Sequence, residues 1–159
     1  MRLAIDTYPR KLIVKAGETA VTSDIGAHII CYGLGSCIGV FLYDKSQRVG
    51  ACAHIVLPGD EKWPETDAML SRIIQQMLNA GCSISTIKAS LAGGASIMGL
   101  SSFSIGKRNI TYIKQYLEQH KIAIQDQCIG GNKGRKARFD MSAGRLYVTT
   151  KTYKDHSII

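Results

Sequence analysis

The chain of 159 residues predicts a single α/β domain of the α+β kind, a layered sandwich in which a mixed sheet is covered by two amphipathic helices. Three observations carry this expectation. Short runs rich in β-branched and aromatic residues recur between turn signals. Two longer stretches place apolar residues at helical spacing. The composition, 45% hydrophobic and 20% charged, is that of a globular domain. A chain of this size buries about two-thirds of its unfolded surface and needs no staples.

The elements follow in order. Leu12-Ile13-Val14 reads as a strand and Ala16-Gly17-Glu18 as a turn. Residues 27–32 form a second strand. Residues 37–43 and 49–57 make a hairpin across the polar turn Asp44-Lys45-Ser46-Gln47, and Pro58-Gly59-Asp60 ends it. Residues 67–80 form the clearest helix, with Met69, Leu70, Ile73, Ile74, Met77 and Leu78 on one face. Thr66 is placed to cap its start and Gly81 to close its end. Residues 84–92 read as a strand that Gly93-Gly94 breaks.

A small-residue loop then runs to Gly106, anchored by Ile97, Met98, Leu100 and Phe103. The second helix runs from Lys107 to His120 and turns Ile110, Ile113, Tyr116 and Leu117 inward. Residues 122–125 form a strand leading into the loop Gly130-Gly131-Asn132-Lys133-Gly134, expected as a tight turn with a basic rim. A last hairpin pairs residues 137–140 with 145–149. The single domain covers residues 1–159; its core spans about 10–150, and 151–159 is expected to fray.

No apolar run is long enough to span a bilayer, and the first residues lack the apolar stretch and cleavage site of a secretory signal. The expectation is a cytoplasmic protein that is not membrane-inserted. The five cysteines contain no CxxC, and the four histidines form no ligand-spaced pair. Neither a metal nor another cofactor is expected. An odd cysteine count without an export signal also argues against a disulfide framework. The net charge of +8 favours an acidic partner. Nucleic acid is not expected, because no recognition motif or aromatic platform accompanies the cluster Lys133-Gly134-Arg135-Lys136-Ala137-Arg138.

Cys37 and His54 carry the chemistry. If Tyr43 pairs with Arg48 in the hairpin, cross-strand partners have numbers adding to 91, which sets Cys37 opposite His54. A thiol beside an imidazole is the minimal cysteine nucleophile. Gly33-Leu34-Gly35-Ser36 leads into Cys37, and the backbone amides near Gly35 and Ser36 are placed to form an oxyanion hole. Ile38, Val40, Leu42, Val49, Ala51, Ala53 and Ile55 form a core face. Gly39, Gly50 and Cys52 share the face of Cys37, where their small size leaves room for a substrate.

Several strings resemble the CheD family, the chemoreceptor glutamine deamidases. They are Leu34-Gly35-Ser36-Cys37, Ala53-His54-Ile55-Val56-Leu57-Pro58, Gly93-Gly94-Ala95, Ile105-Gly106-Lys107-Arg108-Asn109 and Gly130-Gly131-Asn132-Lys133-Gly134-Arg135-Lys136. They stand in the family's order and span about residues 27–148. The resemblance implies a fold shared with the deamidase domain of cytotoxic necrotizing toxins. It implies hydrolysis of glutamine side chains on the cytoplasmic helical domain of chemoreceptors in chemotaxis, a protein-glutamine glutaminase reaction. A receptor methyl ester is chemically similar, so a methylesterase side activity is open to the same site. Cys37 matches the family nucleophile and His54 its base.

The family carries a threonine where this chain has Cys31; the expectation is that Cys31 acts through its backbone carbonyl alone. Two other readings stay open. One is a module, non-catalytic or dual-role, that docks on and stimulates a CheC-type phosphatase. The other is a cysteine hydrolase with a different amide substrate.

Overall fold

The computed structural model describes residues 9–59, 63–96, 105–151 and 156–158. The anchors expected at Ile97, Met98, Leu100 and Phe103 lie outside this set. Ten strands and two helices occur among the described residues: β1 (Arg10–Ile13), β2 (Thr19–Thr22), β3 (Ala27–Leu34), β4 (Ile38–Asp44), β5 (Val49–Ile55), α1 (Glu65–Asn79), β6 (Ile87–Gly93), α2 (Ile105–Gln119), β7 (Ala123–Ile129), β8 (Arg135–Asp140), β9 (Arg145–Lys151) and β10 (His156–Ile158). The α+β class is as expected, but the strands form two five-stranded sheets instead of one, in the orders β1-β3-β8-β9-β10 and β2-β5-β4-β6-β7. Each is mixed: β1 runs parallel to β3, and β6 parallel to β7. The end expected to fray contributes β10, which pairs antiparallel with β9.

The layers run helices, second sheet, first sheet. The alternation in β4 and β5 decides this. Val40, Leu42, Ala51, Ala53 and Ile55 pack under Leu70, Ile73, Met77, Ile113 and Leu117 of the helices. The opposite face is not the open space that its small residues suggest. Phe41, Tyr43 and Cys52 meet Ile29, Cys31 and Phe139 of the first sheet, and Met141 just past β8, in a second core. The Phe41 ring lies over Gly39, and the Met141 thioether fills the place a side chain at Gly50 would take. Phe41 stacks on Phe139 at 6.1 Å between centroids. The small residues therefore admit neighbours from the facing sheet.

Thr66 does not cap α1. Pro64 holds the N-cap position, and the Thr66 hydroxyl donates to the Leu57 carbonyl at 2.7 Å, tying the helix to the exit of β5. Arg135 is not on a basic rim. It is 7% exposed, and its guanidinium holds the Cys128, Gly130 and Lys133 carbonyls of the glycine-rich loop. Aromatic rings do accompany the basic cluster, supplied by other strands: Lys136 sits over Tyr32 at 5.3 Å and Arg138 over Tyr147 at 4.5 Å.

The β4–β5 register differs by one step from the expected turn. Asp44 stays in β4 and pairs with Val49, and Arg48 adopts φ 54°, leaving four residues in the loop. The cause is the Asp44 side chain. One carboxylate oxygen accepts from the Ser46 amide at 2.9 Å, the Ser46 hydroxyl at 2.6 Å and the Gln47 amide at 3.3 Å. The other accepts from the Thr86 hydroxyl at 2.7 Å and the Ser83 amide at 3.4 Å. An aspartate that satisfies the loop from inside the strand moves the turn forward.

Asp44→Ala is expected to cost about 2–4 kcal/mol, because it removes a buried charged acceptor that holds the loop and the start of β6 together. Burial pushes the Asp44 carboxyl up, but the bonds from Ser46, Thr86, Gln47 and Ser83 outweigh it and hold the pKa at about 2. The folded value lies below the unfolded one. Its stabilisation is therefore complete above about pH 4 and lost as pH falls through about 2. Urea titrations of wild type and Asp44→Ala at pH 7 and at acid pH check this: the gap between them should narrow in acid.

Candidate active site

Cys37 stands at the bend between β3 and β4, part-exposed. His54 lies near the end of β5 and is 3% exposed. Partner numbers in the hairpin add to 93, so His54 faces Gly39 and not Cys37. The shift is two in the sum, an even step, so the thiol and the imidazole keep the same face and become diagonal neighbours. Diagonal neighbours remain within reach of side chains of this length.

The imidazole is gripped by the turn between β1 and β2. Its Nδ1 donates to the Val14 carbonyl at 2.9 Å. The His54 backbone N–H donates to the Glu18 carbonyl at 3.0 Å, and the His54 carbonyl accepts from the Gly17 N–H at 2.9 Å. A carbonyl cannot donate, so Nδ1 carries the proton and Nε2 holds the lone pair in the neutral ring. Nε2 is buried and makes no hydrogen bond within the described residues. The ring is therefore oriented by the carbonyl of Val14, and not by that of Cys31 as the sequence suggested. Cys31 contributes its side chain instead. Its thiol lies 3.5 Å from the Cys52 sulfur, and both Cys31 and Cys37 act on the imidazole.

The electrostatics follow from this packing. Burial lowers the pKa of His54, but the thiols of Cys31 and Cys37 and the Val14 carbonyl outweigh it and raise the value to about 10. The Cys52 thiol bonding to Cys31 pulls Cys31 down to about 6 against its burial, with His54 helping. Burial pushes Cys52 up, and Cys31 adds to that. The pocket favours an imidazolium beside sulfur. Cys31 is 0% exposed, so only Cys37 of the two thiols acting on the ring is open to a substrate.

Three consecutive carbonyls of the bend are each held by a neighbouring element. Gly35 O accepts from the Ala95 N–H at 2.8 Å, Ser36 O from the Asn109 side chain at 2.9 Å, and Cys37 O from the Gly94 N–H at 2.8 Å. The approach requires Gly93, whose φ is 119° and where a Cβ would strike the Cys37 carbonyl. In a trans peptide the N–H points opposite to its carbonyl. The Ser36 amide therefore faces away from the end of β6 and the Cys37 amide away from α2, and neither has a backbone acceptor among the described residues. The Gly35 amide, expected as a donor to an oxyanion, is committed to Gly33 O at 3.0 Å, which leaves the Ser36 and Cys37 amides as the backbone donors of the bend with no backbone acceptor among the described residues.

A cavity of about 950 Å³, lined by Tyr43, Arg48, Met141 and Gly144 among others, sits near the far end of β4, roughly 20 Å along the strand from Cys37. Among the described residues no cluster of His, Cys, Asp or Glu could hold a metal ion, and no helix is long and apolar enough to cross a membrane. Sequence reasoning missed Val14 and Asn109. A backbone carbonyl leaves no signal in a sequence. Asn109 did leave one, as a polar residue inside the apolar stripe of α2.

Comparison with known proteins agrees with the motif reading. Residues 66–150 match the family model described as CheD chemotactic sensory transduction. A Thermotoga maritima protein named chemoreceptor glutamine deamidase CheD is 31% identical over 143 residues, covering 87% of this chain and 90% of the relative. A Clostridium kluyveri protein named probable chemoreceptor glutamine deamidase CheD is 36% identical over 149 residues, covering 86% and 92%. Among solved structures, the Bacillus licheniformis hypothetical protein YfiH aligns with TM-score 0.49 at 13% identity, over 69% of this chain and 49% of that one. On the family model and these relatives, the chain belongs to the CheD family.

Proposed function

We propose that this protein is a chemoreceptor glutamine deamidase, a cysteine hydrolase acting in chemotaxis from the cytoplasm. The Cys37 thiolate attacks the carboxamide carbon of a receptor glutamine. The carbonyl oxygen takes the negative charge and accepts from the Ser36 and Cys37 amides, each donor contributing about 3–4 kcal/mol. The protonated Nε2 of His54 gives its proton to the departing nitrogen, ammonia leaves, and a thioester to Cys37 remains. His54, now neutral, takes a proton from water, the hydroxide cleaves the thioester, and glutamate is released. The Val14 carbonyl keeps Nδ1 protonated throughout and stabilises the imidazolium.

The observation that carries this reading is the orientation of His54. Its Nδ1 is tied to a carbonyl, and its Nε2 is left for proton transfer beside the one part-exposed thiol acting on the ring. The thiol sits part-exposed at a bend, which suits a side chain presented on the surface of a protein. The net charge of +8 favours an acidic receptor surface. The test is mass spectrometry of a receptor cytoplasmic fragment incubated with the protein. Each converted glutamine exchanges NH2 for OH, and peptide mapping places the sites. A fragment whose glutamines all stay intact would sink the proposal.

A further inference from the structure

Asn109 is 0% exposed, in the buried stripe of α2 with Ile113, Tyr116 and Leu117. A buried amide gives up apolar contact and must find partners. Its Nδ2 finds two, the Ser36 carbonyl at 2.9 Å and the Val56 carbonyl at 3.0 Å. Both are acceptors, so the side chain cannot be flipped without setting Oδ1 against them. Oδ1 itself is buried and has no hydrogen-bond partner among the described residues. The amide is thus held for its two donors and not as a fully satisfied core group.

The two acceptors flank the reacting pair. Ser36 precedes Cys37, and Val56 lies two residues beyond His54. The β4–β5 ladder ends at Ile38 and Ile55. Past that point no backbone hydrogen bond joins the two segments among the described residues, and Asn109 spans the opening. It fixes two quantities at once. One is the separation of the Cys37 segment from the end of β5. The other is the rotation of the Ser36–Cys37 peptide, whose N–H is aimed away from α2 because its carbonyl is held toward it.

We infer that Asn109 is a positioning residue for the deamidation: by clamping the Ser36 and Val56 carbonyls together, it sets Cys37 against His54 and aims the Cys37 N–H at the developing oxyanion. This rests on the cysteine mechanism proposed above. The side chain touches no reacting atom and acts through the backbone of its neighbours.

Two variants and one control test it. Asn109→Asp keeps the shape and replaces both donors with a group the two carbonyls repel; Asn109→Ser removes the reach. Ile113→Val trims the same buried stripe without touching the clamp. For folded Asn109 variants, checked by circular dichroism and thermal midpoint, kcat should fall about 100-fold with KM changed less than about threefold. Alkylation of Cys37 by iodoacetamide at pH 7 should slow as well. Ile113→Val should keep its kcat and alkylation rate within about twofold of wild type. If Asp unfolds the chain, Ser supplies the reading, and refolded activity per folded molecule is the quantity compared.

Folded Asn109 variants with wild-type kcat would overturn the inference. So would an equal loss in Ile113→Val, which would mean that any disturbance of α2 suffices. The cysteine mechanism is judged separately, by whether wild-type conversion depends on Cys37. If it does not, both ideas fall; if it does and Asn109 is silent, only the clamp falls.

Discussion

Cys37→Ala is expected to abolish conversion of receptor glutamine, a loss of roughly 10⁴-fold or more. The reason is the shortage of alternatives at the site. Cys52 is buried with its pKa raised, and Cys31 is sealed between the sheets at 0% exposure. No described carboxylate is a partner of the imidazole. The substitution removes one part-exposed sulfur from a bend whose backbone is held by Ala95, Gly94 and Asn109, so the fold should persist. Circular dichroism and the thermal midpoint check persistence; the mass of the receptor fragment checks activity. Retained conversion would move attention to Cys31, whose pKa sits at about 6.

His54→Ala is expected to reduce turnover about 1,000-fold, the range of a lost acid–base group. It should also change the alkaline behaviour of the protein. The folded-state pKa of about 10 lies above the ordinary 6.5, so the ion's contribution to stability is complete below about 6.5 and lost as pH rises through about 10. Wild type should therefore lose thermal stability on the alkaline side, and His54→Ala should lose less over the same range. Parallel melting curves between pH 6 and 11 measure the difference. Identical slopes would show that the imidazole is not held as an ion by its sulfur neighbours.

The sequence was most legible where periodicity governs. The alternation of β4 and β5 gave the core face correctly, with Ile38, Val40, Leu42, Val49, Ala51, Ala53 and Ile55 all in the cluster under the helices. The helices were legible for the same reason, with Met69, Leu70, Ile73 and Met77 buried in α1. The division into two sheets was not. Strand β2 (Thr19–Thr22) is four residues of middling burial, and the pairing of β3 with β8 joins segments about a hundred residues apart, which no local pattern reports.

The site was half visible. The shared face of Cys37 and His54 survived the register shift because face depends only on parity. The shift itself came from Asp44, whose carboxylate bonds reach to Ser83 and Thr86, far beyond any window around the turn. Cys31 was identified as a neighbour of the histidine, but its part was misjudged. The sulfur faces the ring, and the oxygen that holds the ring comes from another strand end.

That oxygen has a consequence for heredity. Every amino acid brings the same main-chain atom, so no single codon change at position 14 can delete it; only rerouting the polypeptide between β1 and β2 would. The orienting role is thus insulated from mutation in a way that a hydroxyl or carboxylate is not. A substitution at position 31 would change the sulfur acting on the ring but would leave this oxygen in place.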